Sequence, residues 1–232
     1  MTGSQPIGEP VDTTSAPRPG PVTLEGRHVR VEKLDPARHG DALWQVIRGE
    51  DHVWTYLASG PFAEEGAFRA WLDERAASPD PYFYAVVDKR DGRALGVFTL
   101  MEIRPAARVI EVGNVLFSPA MQRTPVSTEA QYLLARYALE MLGYRRYEWK
   151  CNALNEPSMR AAPRLGFTYE GTFRQHMIVK GRNRDTAWFS MTDKEWPGVK
   201  AAYEEWLAPE NFDAEGNQRT SLGDLQKRRA TR

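Results

Sequence analysis

The chain has 232 residues, 41% hydrophobic and 11% aromatic, with 31 basic side chains balanced by 31 acidic ones. That is enough apolar material for the core of one large domain, and a formal charge of zero gives no electrostatic footprint for nucleic acid or an anionic membrane surface. The single cysteine, Cys151, excludes an internal disulfide; no apolar run approaches the ~20 residues of a membrane span and no secretory leader is recognisable, so a soluble cytoplasmic protein is expected.

Residues 1–22 are rich in Pro, Gly, Ser and Thr and poor in large apolar groups, the composition of a disordered extension. Alternation over 28–34 predicts a first strand, and Asp35-Pro36 opens a helix with Ala42, Leu43, Val46 and Ile47 on its apolar side. The stretch 51–62 is aromatic and irregular, and 63–77 fits a second helix. Strands follow at 82–87, 94–101 and 108–117, the first two joined by the hairpin signal Arg90-Asp91-Gly92. A long amphipathic helix is predicted over 125–142, with Thr124 as its N-cap, Pro125 at its first position and Gly143 ending it. A strand at 145–152, a short helix from Asn155 to Gly166 and a hairpin of strands 172–180 and 186–191 come next. A last helix starts near Pro197, and from Pro209 the chain becomes polar and then basic, as expected of a mobile tail. The order gives an α/β (α+β) domain over 23–208 with a mixed, mostly antiparallel sheet flanked by helices, between an extension (1–22) and a tail (209–232). Dinucleotide and nucleoside-triphosphate fingerprints are missing, and none of the four histidines has metal-ligand spacing.

The informative stretch is Gln122-Arg-Thr-Pro-Val-Ser-Thr128. It joins an apolar strand to a helix N-terminus, where N–H groups without intrahelical partners attract phosphate. Four motifs carry a resemblance to a known family. They are Val-Gly-Asn-Val-Leu-Phe (112–117), the loop from Gln122 to Thr128, Asn155-x-x-Ser158 heading the next helix, and Leu165-Gly-Phe167 followed by Glu170-Gly171. Together they resemble the GNAT fold of acyl-CoA N-acyltransferases over roughly 24–195, with most similarity to the branch that acetylates ribosomal-protein N-termini.

The resemblance implies an acetyl-CoA co-substrate lying along Val115, Leu116 and Phe117. Its pyrophosphate is expected at Gln122, Arg123, Thr124, Val126, Ser127 and Thr128, with Asn155 and Ser158 as further contacts. Pro125 and Ser127 stand where the family's loop carries glycines, so the cradle is expected to keep the N–H groups of Val126, Ser127 and Thr128 with altered contacts. A primary amine attacks the acetyl carbonyl directly. That chemistry uses a base for the amine, a donor for the leaving thiolate and N–H groups for the oxyanion, one of them at a strand bulge near Gly113-Asn114. The tyrosine acid of many family members would lie near Ala162, where there is none, and Ser158 matches the serine acid of the N-terminal branch. That branch's glutamate falls at Met177. The base candidates are therefore His176, which alternation points to the other face unless a bulge intervenes, and Glu111 on the strand beside the co-substrate. Trp54, Tyr56 and Arg182 are candidate acceptor contacts by fold analogy, and Pro163 should kink or weaken its short helix. The expected partners are an acyl-CoA and an amine, from a protein or a small molecule, with no metal, nucleic acid or membrane, in a monomer or homodimer. Acylation of a small amine, a succinyl-type donor, a non-catalytic acyl-CoA-binding module and an unrelated ligand-binding domain are the alternatives.

Overall fold

The computed structural model describes residues 5–230. One sheet of eight strands runs in the order β1-β2-β3-β4-β5-β6-β8-β7. The strands are β1 (Thr23–Glu25), β2 (Val29–Lys33), β3 (Tyr82–Asp88), β4 (Ala94–Arg104), β5 (Val109–Phe117), β6 (Arg146–Asn152), β7 (Thr168–Val179) and β8 (Arg182–Thr192). Neighbours are antiparallel except β5 and β6, which are parallel because helix α3 (Pro125–Arg136) crosses between them.

Each face of the sheet has its own core. On one side α1 (Pro36–Ile47) and α2 (Glu65–Ala77) bury Leu43, Ile47, Phe68 and Leu72 against Phe83, Ala85 and Val87 of β3. On the other, α3 and α5 (Trp196–Leu207) bury Val126, Ala130, Leu134, Val199 and Tyr203 against Val31, Tyr84, Val86, Ile110 and Val112. The sequence signals act locally as expected. Asp35 caps α1 by accepting from the N–H groups of Ala37 and Arg38, and Pro36 stands in its first turn. The apolar stripe predicted over 125–142 is one continuous rod, but its end, Tyr137–Met141, is a wide π turn before Gly143 reverses the chain at φ +68°. Among the described residues no helix is long and apolar enough to cross a membrane.

The packed body extends beyond 23–208 at both ends. The extension expected to be disordered is exposed over 5–15 and tied to the core over 16–20; residues 1–4 fall outside the described residues. Tyr84 and Tyr144 donate their hydroxyls to the carbonyls of Gly20 and Pro17, the N–H of Gly20 donates to the Tyr137 hydroxyl, and Ala16 is buried. The physical reason is that these tyrosine rings belong to the core while their hydroxyls need partners, and an extended backbone with no ladder of its own supplies them. The tail likewise packs: α6 (Leu222–Ala230) buries Leu222, Leu225 and Gln226, and the Asn211 amide clamps the preceding turn through Trp206 and Thr220. Two apolar residues at helical spacing in a polar segment are too short a pattern to read from sequence.

Candidate active site

The site begins where β5 and β6 part. They pair from Val109↔Arg146 to Val112↔Trp149 and no further; beyond that β5 is held by β4 alone and β6 by β8 alone. The parting coincides with a bulge, since Asn114 and Val115 together face Phe98 of β4, and Asn114 adopts φ +46°, a conformation asparagine tolerates better than most residues. The extra residue switches the alternation of the strand. Ile110 and Val112 point to the α3 core, whereas after the bulge Leu116 faces the α1/α2 core and Val115 and Phe117 pack on the α3 side. Gly113 lies close under the Met101 side chain, and a Cβ there would lie 2.2 Å from its Sδ unless the methionine moved.

Across the opening stands the start of α3. The side chains of the loop are occupied with the loop itself: Gln122 Nε2 donates to the Phe117 carbonyl (2.8 Å), Thr124 Oγ1 to Met121 (2.7 Å) and Ser127 Oγ to Thr124 (2.9 Å). Arg123 takes φ +62° to turn the chain. Thr124 therefore occupies the N-cap position without capping, and the N–H groups of Val126 and Ser127 carry no side-chain cap. This corrects the expectation of three free N–H groups. Thr128 is the fourth helical residue, so its N–H falls to the Thr124 carbonyl, while its hydroxyl accepts from Arg164 Nη1 (3.3 Å), bringing a guanidinium to the helix start.

Helix α4 (Glu156–Arg164) supplies Ser158. Asn155 caps it, Oδ1 accepting from the Ser158 N–H at 3.2 Å. Ser158 Oγ accepts from the indole N–H of Trp149 (3.0 Å), the last β6 residue paired with β5, so its own proton is left for another acceptor, and the Cys151 sulfur lies within hydrogen-bonding reach of it. Burial pushes the neighbouring Cys151 thiol up. Pro163 sits in the final turn. The helix then closes on Gly166 (φ +95°) in a Schellman motif, with Gly166 N–H bonded to the Pro163 carbonyl and Phe167 N–H to that of Ala162, so the proline takes away the i→i−4 donor to the Met159 carbonyl but leaves the helix end closed. Ala162, at the tyrosine position, is fully buried.

Glu111 lies on the α1/α2 face, two residues before Gly113. Its Oε2 is 2.8 Å from Lys150 Nζ, and the ammonium also approaches Glu148 (3.2 Å) and sits 3.9 Å above the Trp188 ring. Burial pushes the Glu111 carboxyl up to about 7, against the opposing charge and hydrogen bond of Lys150. Glu148 is also buried, yet its hydrogen bond from Arg146 and the charges of Lys150 and Arg104 hold it below the usual carboxylate range. One face thus carries a carboxylate poised near neutrality beside one that stays ionised.

The same face holds a cavity of about 160 Å³ bounded by Trp54, Leu57, Trp71, Phe83, Met101 and Leu116, with Asn114 at its β5 end. Its outer loop is tied down twice: Tyr56 donates its hydroxyl to the Leu154 carbonyl, and Lys180 Nζ donates to the Trp54 carbonyl, each at 2.9 Å. Of the expected acceptor contacts, Trp54 lines the cavity, Tyr56 fastens its loop, and Arg182 is exposed on the hairpin away from the cavity lining. His176 is brought to the Trp188 face by a bulge between Phe173 and Met177, against simple alternation. It is exposed there in a wide groove, with Nδ1 3.0 Å from Thr186 Oγ1, and Trp188 stands between it and Lys150. Met177 is itself exposed. Lys150, Met101 and Arg164 were not singled out from sequence. Only the pairing of Glu111 with Glu148 across parallel strands could have brought Lys150 to Glu111.

Fold and site together define an acetyltransferase scaffold. The chain belongs to the GNAT family: the acetyltransferase (GNAT) domain pattern matches residues 29–168. It is similar to a GCN5-related N-acetyltransferase from Brucella melitensis, with 49% identity and a TM-score of 0.90 over 92% of this chain and 98% of that one. A Chromobacterium violaceum protein named as "a probable acetyltransferases (GNAT family)" is 43% identical, with a TM-score of 0.76 over 84% of this chain and 100% of that one. A Bacillus subtilis protein named "Putative ribosomal N-acetyltransferase YdaF" is 31% identical over 178 residues, 75% of this chain and 96% of its own length.

Proposed function

We propose that the protein transfers an acetyl group from acetyl-CoA to a primary amine by direct attack, with a protein N-terminus as the favoured class of acceptor. The observation that carries this reading is the parting of β5 and β6 at Gly113 opposite an uncapped α3 start, which leaves strand edge and helix N–H groups open to one extended co-substrate. Val115, Leu116 and Phe117 would flank its pantetheine arm. The N–H groups of Val126 and Ser127, with Gln122, Arg123, Thr124 and Thr128 around them, would hold its pyrophosphate. Asn155 holds the α4 start in place.

In this reading Glu111 is the base. The attacking amine must be neutral, and a carboxylate titrating near 7 is matched to taking its proton at physiological pH. Ser158, whose oxygen already accepts from Trp149, donates towards the departing thiolate. The bulge at Asn114 turns backbone N–H groups away from the ladder, where they can meet the developing oxyanion. The N-terminal acceptor class draws on the name of the Bacillus subtilis relative, and the succinyl-type donor is left to assay. The test is release of free CoA thiol from acetyl-CoA with amine-bearing peptides, and a mass gain of one acetyl group on the peptide. Tight acetyl-CoA binding without turnover on any amine would replace the enzyme reading by a binding module.

A further inference from the structure

We propose that the cavity beside Asn114 selects the acceptor, an inference that rests on the acetyl-transfer reading above. At about 160 Å³ it matches the apolar cavities of ~150 Å³ that hold one benzene ring. Its walls are rings set edge to face, Trp54 on Trp71 at 5.4 Å and 81°, and Trp71 on Phe83 at 6.2 Å and 88°, an arrangement that offers both ring faces and ring edges to a further aromatic group. Its β5 end lies at Asn114 and Leu116, directly past the point where β5 leaves β6, so it adjoins the opening assigned above to the acyl-CoA.

The charge of the lining narrows the class. The residues that line the cavity include Ser59 and Arg75 but no acid, which disfavours an acceptor with a second ammonium group there. The acceptor is then a primary amine joined by a short chain to a ring-sized apolar group, carried either by a free amine or by the first residue of a peptide.

The full chain would be assayed with acetyl-CoA against tyramine, phenethylamine, ethylamine and spermidine, and against short peptides beginning with Tyr, Phe, Ala or Ser. The inference expects kcat/KM for ring-bearing amines to exceed that for ethylamine or Ala/Ser peptides by about tenfold or more, the usual scale for filling an apolar pocket. The comparison of tyramine with the Tyr peptide separates a free amine from a peptide source. Leu57→Trp, which fills the cavity, should raise KM for ring amines. Equal rates across the panel, or preference for spermidine, Ala or Ser, would overturn the inference and leave acetyl transfer standing. If nothing is acetylated, tyramine binding to the CoA-saturated protein, followed by tryptophan fluorescence, decides the pocket separately. Quenching by tyramine and not by ethylamine supports it, and no difference overturns it. The absence of any stabilisation by acetyl-CoA would instead remove the acetyl-transfer reading.

Discussion

Replacing Lys150 with methionine removes the ammonium 2.8 Å from Glu111 while keeping most of the side-chain length beneath Trp188. Glu111 is faced by Lys150 and Glu148 from β6 and by Met101 and Glu102 from β4; Glu148 is in turn paired with Arg146 and Arg104. Burial raises the Glu111 carboxyl to about 7 and the lysine opposes that rise, so its loss must move the group further up. A neighbouring unlike charge is worth about 1–3 pH units, and each unit is about 1.4 kcal/mol, or tenfold in the ionised fraction at fixed pH below the titration. The assay is kcat/KM for one amine against pH at saturating acetyl-CoA. Because the amine is common to both proteins, its own titration cancels in the comparison. The acid limb of Lys150→Met should shift to higher pH by about 1–3 units, and Lys150→Arg should restore most of it. A lower plateau with an unshifted limb would refute the reasoning, either because Glu111 is not the base or because Lys150 serves packing alone.

Other outcomes follow from single contacts. Ser158→Ala should lower kcat by about a hundredfold, the lower range for a positioned acid, with an acetyl-CoA dissociation constant near the wild-type value; an unchanged kcat removes the acid role. The Glu129 carboxylate accepts from the N–H groups of Arg27, His28 and Val29 at 2.7, 2.6 and 3.2 Å, under a Gly26 whose Cβ would lie 2.5 Å from the carboxylate carbon. Glu129→Ala should cost about 2–3 kcal/mol in chemical denaturation by stranding those donors, and a loss near zero would show that water replaces the carboxylate. Deleting residues 1–20 strips partners from the hydroxyls of Tyr84, Tyr137 and Tyr144, so at about 1 kcal/mol per bond the melting temperature should fall by roughly 5–10 °C. An unchanged melting temperature would show that the extension does not pack.

Much of the fold was legible because its elements carry local signals. The Asp35-Pro36 start of α1, the apolar stripe of α3 and the Asn155 cap of α4 each depend on residues a few positions apart. The Gly113-Asn114 bulge and the α3 start were also readable through the resemblance. What could not be read depends on pairing between distant strands. Glu111 becomes a buried, lysine-bound carboxylate only because β5 and β6 align in parallel, and His176 changes face only because β7 bulges against β8. The extension and tail misled for a different reason. Their composition is that of disorder, yet they are ordered by hydroxyls, carbonyls and a few apolar residues supplied by the rest of the chain.

The central claim is that one acyl-CoA lies between the parted strands and the start of α3. Thermal melting of the wild-type chain and of Ser127→Asp, each with and without excess acetyl-CoA and with adenosine as a control, tests it directly. At a ligand concentration ~100 times the dissociation constant the wild type should gain about 2.7 kcal/mol, seen as a clear rise in melting temperature, while adenosine gives little. Ser127→Asp, which sets a negative charge against the pyrophosphate, should lose most of the acetyl-CoA shift. Equal shifts in both proteins, or none in the wild type, would contradict the claim that this opening and this helix start hold the co-substrate.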